Sequence, residues 1–199
     1  MNSKMKIVGS SAHTEDEREK NDYYATDPQA VRDFISAWVD RDGNRFHQNI
    51  WEPACGEGNI AEVFRDLDHS VFASDLICRG YGEQFDFLSG SAADIGISTW
   101  RGDIVTNPPY KGNLDTDFIR RSLELVEQGS YVIMLFKVQF LASKKRKLFF
   151  EQYPIRYVYI HSSRIKILKN NQPGGSNALD YAWYVWQKGW TGDTVIKWI

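Results

Sequence analysis

Apolar residues recur along this chain in two rhythms, helical and extended, that take turns from residue 28 onward. Val31, Phe34, Ile35, Trp38 and Val39 follow helical spacing, and Thr26 or Asp27 can cap a helix whose first residue is Pro28. Asn49-Ile50-Trp51 reads as a short strand. A second helix opens at Asn59 or Ile60, with Ile60, Ala61, Val63, Phe64 and Leu67 on its inner face. Val71 to Asp75 is the next strand, and Asp86-Phe87 can end another. The β-branched run Ile104-Val105-Thr106 is a further strand that stops at Asn107, because Pro108 and Pro109 neither continue a ladder nor allow an immediate helix. An amphipathic helix is predicted over Asp115 to Gln128 through Phe118, Ile119, Leu123 and Val126, with Gly129 as its stop. Tyr131 to Phe136 is a buried strand, and Lys144 to Lys147 begins or precedes a helix that ends before Pro154. Arg156 to Ile160 and Tyr181 to Trp186 are strands, and Lys169 to Asn177 is a loop by composition. Strands separated by helix-length segments predict an α/β sheet.

The chain has 199 residues, 42% of them hydrophobic, which suffices for one well-packed α/β core and not for two of ordinary size. Residues 1–22 are polar and charged, with Thr14 to Lys20 unable to bury a face, so they are expected to form a flexible arm ahead of a single domain over 23–199. No apolar run approaches the roughly 18 residues that cross a bilayer, and the N-terminus lacks a signal-peptide core, so no membrane partner and a cytoplasmic location are expected. Cys55 and Cys78 imply neither a disulfide framework nor a metal centre, since no Cys/His cluster has ligand spacing. The net charge of -2 hides an asymmetry: residues 1–118 hold 11 Lys and Arg against 21 Asp and Glu, whereas residues 119–199 hold 13 against 5. The basic half is a candidate surface for a polyanion, unless the charges interleave on folding. Within it, Lys144, Lys145, Arg146 and Lys147, with Arg164, Lys166 and Lys169, are the candidates for phosphate contact; four consecutive charges also suit a solvated helix face.

The chemistry concentrates at strand ends. Asn107-Pro108-Pro109-Tyr110 fixes an amide and an aromatic ring at the carboxyl end of a strand, where an open α/β sheet binds ligands. The Asn107 side-chain oxygen and the Pro108 carbonyl, one residue apart on a stiffened turn, can accept both hydrogens of a planar amino group. A ring-conjugated amine is a poor nucleophile and needs such acceptors, and Tyr110 offers a face for its ring to stack on. The plainer reading is a Pro-Pro turn with a half-buried tyrosine. Upstream, Glu52 precedes a glycine turn, Ala54-Cys55-Gly56-Glu57-Gly58, that lets backbone approach a ligand closely. Asp75, 23 residues beyond Glu52, ends the following strand and is placed to accept both hydroxyls of a ribose. Asp86 can accept an adenine amino group with Phe87 against the ring, or can be a surface Asp beside a core Phe. Tyr23 and Tyr24 form part of a capped helix entry or line a pocket.

In this order, Glu52 to Gly58, Ser74-Asp75-Leu76, Asp86-Phe87 and Asn107 to Tyr110 resemble the motifs of the class I S-adenosylmethionine-dependent methyltransferases that act on amino groups. The resemblance is to the DNA adenine N6-methyltransferases, above all small stand-alone phage and prophage enzymes. It implies a Rossmann-like fold: a mostly parallel seven-stranded sheet with an antiparallel C-terminal strand and helices on both faces. It implies S-adenosylmethionine as cofactor, double-stranded DNA with a flipped base as partner, and no obligate protein partner. By resemblance, Thr26 touches the methionine carboxylate, and Glu52, Ala54, Gly56 and Gly58 line the methionine moiety. Asp75 and Leu76 hold the ribose and adenine, Asp86 and Phe87 the adenine, and Asn107, Pro108 and Tyr110 act on the target base beside the cofactor. Thr26-Asp27-Pro28 stands where the family often has Thr-Pro-Pro, and Arg164 to Leu168 offers only aliphatics where the family often has a second stacking aromatic. Sequence specificity is expected from loops at Lys111 to Asp115, Gln139 to Ser143 and Ser162 to Asn177. An RNA adenine, a DNA cytosine or a protein glutamine would suit the same acceptors.

Overall fold

The computed structural model describes residues 24–165, 167–168 and 180–199, so the expected arm at 1–22 and the loop at 169–177 lie outside the described residues. The chain enters through a two-residue strand, β1 (Ala25–Thr26), and α1 (Pro28–Ser36), which a π turn over Ala37–Arg41 prolongs. Asp27 caps α1 by accepting from the Gln29 amide at 2.9 Å, with Pro28 in the first turn. There follow β2 (Asn49–Glu52), α2 (Asn59–Arg65), β3 (Ser70–Asp75), β4 (Glu83–Gln84), β5 (Asp103–Thr106), α3 (Leu114–Leu125) and β6 (Tyr131–Lys137). The C-terminal part adds α4 (Lys144–Gln152), β7 (Tyr157–Ile160), β8 (Ile167–Leu168), β9 (Tyr181–Gln187) and β10 (Val195–Trp198).

Among the described residues the main sheet has eight strands in the order β10-β7-β9-β6-β5-β2-β3-β4. All neighbours are parallel except β9, which runs antiparallel to β6 and β7. The expected seventh, antiparallel strand is therefore internal, and an eighth, β10, closes the edge parallel to β7. β10 escapes a pattern reading because Val195, Ile196 and Trp198 are exposed, so no buried face marks it. β1 stands apart and pairs antiparallel with β8, Thr26 opposite Ile167.

Parity along the strands divides the core. Val105, Ile133, Leu135, Trp183 and Val185 pack with α1 and α2, whereas Ile104, Val132, Met134, Phe136, Tyr184 and Trp186 pack with α3 and α4. Both faces of the central strands are thus buried, which is why they read as continuous apolar runs. Phe34 stacks on Trp183 at 5.1 Å and meets Tyr159 edge-on at 5.3 Å; full burial of such a ring contributes roughly 1.5–3 kcal/mol.

Two helices are shorter than their apolar periodicity. α2 ends at Arg65, leaving Leu67 44% exposed rather than on the inner face. α3 ends at Leu125 because Trp100 pairs with the chain there: its amide donates to the Leu125 carbonyl at 2.7 Å and its carbonyl accepts from the Glu127 amide at 3.1 Å. Tertiary pairing thus ends the helix before Gly129 can. Asp86 and Phe87 fall after β4, in a turn rather than at a strand end.

β10 is fastened to the turn after α1 through Asp42. Lys197 reaches Asp42 at 3.0 Å, the Tyr159 hydroxyl donates to it at 2.7 Å, and Arg41 lies at 3.3 Å. Burial pushes the Asp42 carboxyl up, but hydrogen bonds from Arg41, Tyr159 and Lys197 and the Lys197 charge outweigh it and bring the carboxyl from 3.8 down to about 2. A depressed folded-state value stabilises the fold above the unfolded value, and that stabilisation is lost as pH falls toward the folded one. Asp42→Asn should therefore be less stable than wild type at neutral pH by up to about 2 kcal/mol. The gap should close between pH 4 and pH 2 in thermal melts followed by circular dichroism.

Candidate active site

The winding of the sheet reverses between β2 and β5: the chain runs outward through β3 and β4 on one side and through β6 on the other. Loops leaving the carboxyl ends of such strands diverge and leave a crevice. An open cleft of about 940 Å³, its mouth included, lies there. Glu52, Pro53 and Ala54 border it after β2, Asp75 and Leu76 after β3, and Asn107 to Tyr110 after β5. Thr26 and Tyr24 close one side, Asp86, Phe87 and Leu88 another, and Leu114 and Phe118 of α3 add apolar wall.

Glycine turns make the first strand end. Gly58 begins α2 with φ 87°, a left-handed conformation that suits glycine, and has no side chain to cap the helix. Glu52 does so from the preceding strand, accepting from the Ala61 amide at 2.7 Å. Its carboxyl is 2% exposed. Burial first, then the Asp75 charge, push its pKa well above the ordinary 4.5, against the lowering effects of the Ala61 amide and the Arg65 charge. Asp75 is oriented by two amides, Gly56 to Oδ2 at 2.8 Å and Ile77 to Oδ1 at 2.9 Å. β2 and β3 are tied further by the Trp51 indole donating to Ser74 Oγ at 2.9 Å. Burial, with the charges of Glu52 and Asp75, pushes the Cys55 thiol up to about 12, which makes it a neutral packing group rather than a nucleophile.

The β5 corner is equally constrained. Asn107 Nδ2 donates to the Tyr24 carbonyl at 3.2 Å and to Thr26 Oγ1 at 3.1 Å. A carbonyl only accepts, so the nitrogen must face β1, and Oδ1 faces the other way. The Tyr110 hydroxyl contacts Oδ1 and also lies 3.0 Å from the Leu135 carbonyl. The Tyr110 ring leans on Phe136 at 5.8 Å and an interplanar angle of 55°.

Of the residues expected on the cofactor side, Thr26, Glu52, Ala54, Asp75, Leu76, Asp86 and Phe87 line this cleft together with Asn107, Pro108 and Tyr110. Gly56 and Gly58 do not line it. The Gly56 amide serves Asp75, and a Cβ on Gly58 would lie 2.3 Å from the Tyr81 ring, so that position is kept free of a side chain by Tyr81 as well as by its positive φ. Tyr81 is held there by donating to Glu62 at 2.6 Å, with the Arg65 guanidinium 5.1 Å from the ring centroid. Asp86 is exposed and caps its own turn: the Leu88 and Ser89 amides donate to Oδ1 at 3.0 and 3.1 Å, and the Ser89 hydroxyl donates to Oδ2. Those bonds, the Ser89 hydroxyl first, hold its carboxyl below the ordinary value. Phe87 is buried edge-on to Trp51 at 5.2 Å and beside Phe118 at 5.0 Å.

The basic run is not one surface. Arg146 turns inward to pair with Asp115 and sits 4.1 Å from the Phe140 ring centroid. Lys145 donates to Asn113 Oδ1 at 2.6 Å, and Lys147 lies 3.4 Å from Glu151. Lys144 and Arg164 are exposed, while Lys166 and Lys169 lie outside the described residues. Tyr24 lines the cleft, one of the two readings its sequence context allows, while Arg79 and Phe118 line it with no site role legible in the sequence.

No family model matches the chain, and no curated protein matches it. Solved structures do. The type IIG restriction endonuclease BpuSI is 15% identical with a TM-score of 0.60, over 85% of this chain and 26% of its own. A protein from Pyrococcus horikoshii, provisionally named an RNA methyltransferase, is 14% identical with a TM-score of 0.58, over 86% of this chain and 90% of its own. One from Listeria monocytogenes, provisionally named a class I S-adenosylmethionine-dependent methyltransferase, is 12% identical with a TM-score of 0.57. That match covers 86% of this chain and 64% of the Listeria protein, so the chain spans less than two thirds of its length. At these identities the likeness establishes the fold: the α/β arrangement of the class I methyltransferases.

Glu52 makes a prediction independent of any ligand. An acid whose folded-state value is raised contributes stability that is present at low pH and lost as pH rises through that value. Glu52→Gln keeps the acceptor for the Ala61 amide and removes the titration. It should melt at or above the wild-type temperature at pH 7, and the difference should shrink as pH falls below 4.5.

Proposed function

We propose that the protein transfers a methyl group from S-adenosylmethionine to the exocyclic amino nitrogen, N6, of adenine in DNA, with residues 23–199 acting as one catalytic domain. The observation that carries this reading is that the Asn107 corner and the acidic strand ends Glu52 and Asp75 face one cleft.

The donor set suits the cofactor. Asp75, oriented by two backbone amides, would take the ribose hydroxyls, and Leu76 and Phe87 would flank the adenine ring. Thr26, Glu52 and Ala54 border the part of the cleft that would take the methionine moiety. Asp86, already bonded within its turn, would meet the adenine amino group only with its remaining lone pairs. When bound, the cofactor supplies a methyl group activated by its sulfonium. Asn107 Oδ1 and the Pro108 carbonyl would accept the two amino hydrogens of the target base, leaving its lone pair free to attack and stabilising the positive charge that grows on nitrogen. Tyr110 would give Oδ1 up to the base, its hydroxyl keeping the Leu135 carbonyl, and would offer its ring for stacking. Reaching the site from a duplex requires extruding the base, which costs a few kcal/mol.

DNA as partner is supported by the basic C-terminal half, by exposed Lys144 and Arg164, and by the likeness to a restriction endonuclease. RNA adenine is the second reading, favoured by the likeness to a protein named as an RNA methyltransferase. Loss of one preorganised acceptor typically lowers kcat by about 10² to 10³. Asn107→Ala should lose that much in transfer of labelled methyl groups, with cofactor affinity by calorimetry within about threefold of wild type. An unchanged kcat would remove Asn107 from the chemistry.

A further inference from the structure

The orientation of the Asn107 amide is set from outside the main sheet. Both hydrogens on Nδ2 are taken at the entry to the fold, one by the carbonyl of Tyr24, the residue before β1, and one by Thr26 Oγ1 of β1. Thr26 is buried, 2% exposed, so its bond to Asn107 does not compete with solvent. The Tyr24 carbonyl fixes which end of the amide faces outward, because a flipped amide would set two oxygens against each other. Thr26 fixes the plane, since two acceptors on one planar NH₂ leave the amide no free torsion. β1 itself is positioned by pairing with β8, Ala25 opposite Leu168 and Thr26 opposite Ile167, and by the capped start of α1 immediately after it.

We infer that Thr26 is a positioning residue for the methyl-accepting side of the site: through Asn107 Nδ2 it holds Oδ1 toward the cleft, so the corner accepts hydrogen bonds and selects a nucleophile that donates them. This rests on the reading of the site as an amino-methyltransferase and extends it, because Thr26 then acts on the acceptor rather than through cofactor binding alone. An amide turned this way favours a flat NH₂ group over a hydroxylate or a ring carbon, neither of which has two hydrogens to give. The Tyr110 hydroxyl on Oδ1 is consistent with that polarity, since it contacts the oxygen as a donor would.

The test compares Thr26→Val, which keeps the shape and removes the acceptor, with Thr26→Ser, which keeps the acceptor. Methyl transfer to adenine-containing duplex DNA gives kcat, calorimetry with S-adenosylhomocysteine gives cofactor affinity, and hydrogen exchange of the Asn107 side-chain amide, identified by its loss in Asn107→Ala, reports the amide's restraint. Thr26→Val should lose about 10- to 100-fold in kcat at saturating S-adenosylmethionine and the exchange protection of the amide, with any loss of affinity for S-adenosylhomocysteine smaller than the loss in kcat. Thr26→Ser should restore kcat to within about threefold and restore the protection. Amide exchange unchanged in Thr26→Val, or lost while kcat holds, would overturn the inference. So would a cofactor affinity that falls tenfold in Thr26→Val with kcat unchanged, which would make Thr26 a cofactor ligand only. A wild-type protein inactive on nucleic acid would defeat the proposed function instead, and the amide exchange would still decide whether Thr26 holds Asn107.

Discussion

Between β2 and β5 the winding of the sheet reverses, so the helices that follow these strands depart to opposite faces: α2 joins the packing of α1, and α3 that of α4. Among the described residues, no helix or strand of the main sheet's layers covers the carboxyl ends of the two strands, and the polar groups placed there meet in the gap. Everything that distinguishes this molecule from a plain βαβ scaffold follows from how those ends are finished. β2 ends in Glu52 and a glycine turn, and β5 ends in an asparagine that two prolines prevent from continuing as strand or helix. The cleft is the consequence of topology, and its chemistry is the consequence of those few residues.

The finishing is done by hydrogen bonds between elements rather than within them. Glu52 caps α2 from a different strand, Asp75 is steadied by Gly56, and Asn107 is steadied by β1. Holding a carboxyl as buried as that of Glu52 costs free energy unless it is protonated or fully bonded. Such sites retain stability only because the surrounding core is large. Four of the seven tryptophans, Trp38, Trp51, Trp183 and Trp186, are almost wholly buried on the two faces of the sheet and give that core its reserve.

Much of this was legible in the sequence because the signals are local. Pro28 after Asp27, Pro108 and Pro109 after a β-branched run, and the glycines before Ile60 act within a few residues of where they stand. What was not legible is tertiary. Helix α3 has apolar spacing to Val126 yet ends earlier, because Trp100 takes up its terminal backbone groups. β10 buries no full face and leaves no alternation to read. Gly58 reads as a ligand-approach glycine, and the sequence gives no sign that Tyr81, 23 residues away, also packs against it. Arg146 belongs to a basic run by sequence and to an inward ion pair with Asp115 by structure. The same limit applies to the site: the Asn-Pro-Pro-Tyr corner announces itself, but the partners that orient its amide are on a two-residue strand and the residue before it, which have no periodicity of their own.

The proposed chemistry depends on an oxygen-out amide beside a cleft that would hold the cofactor's nucleoside, and the product identifies it. Incubating the full chain with methyl-labelled S-adenosylmethionine and unmethylated duplex DNA, RNA and a protein mixture in parallel, then digesting and chromatographing the products, tests this most directly. Label recovered as N6-methyldeoxyadenosine is the expected result. Label absent from DNA, or found only in RNA, on cytosine or on a protein side chain, would contradict it.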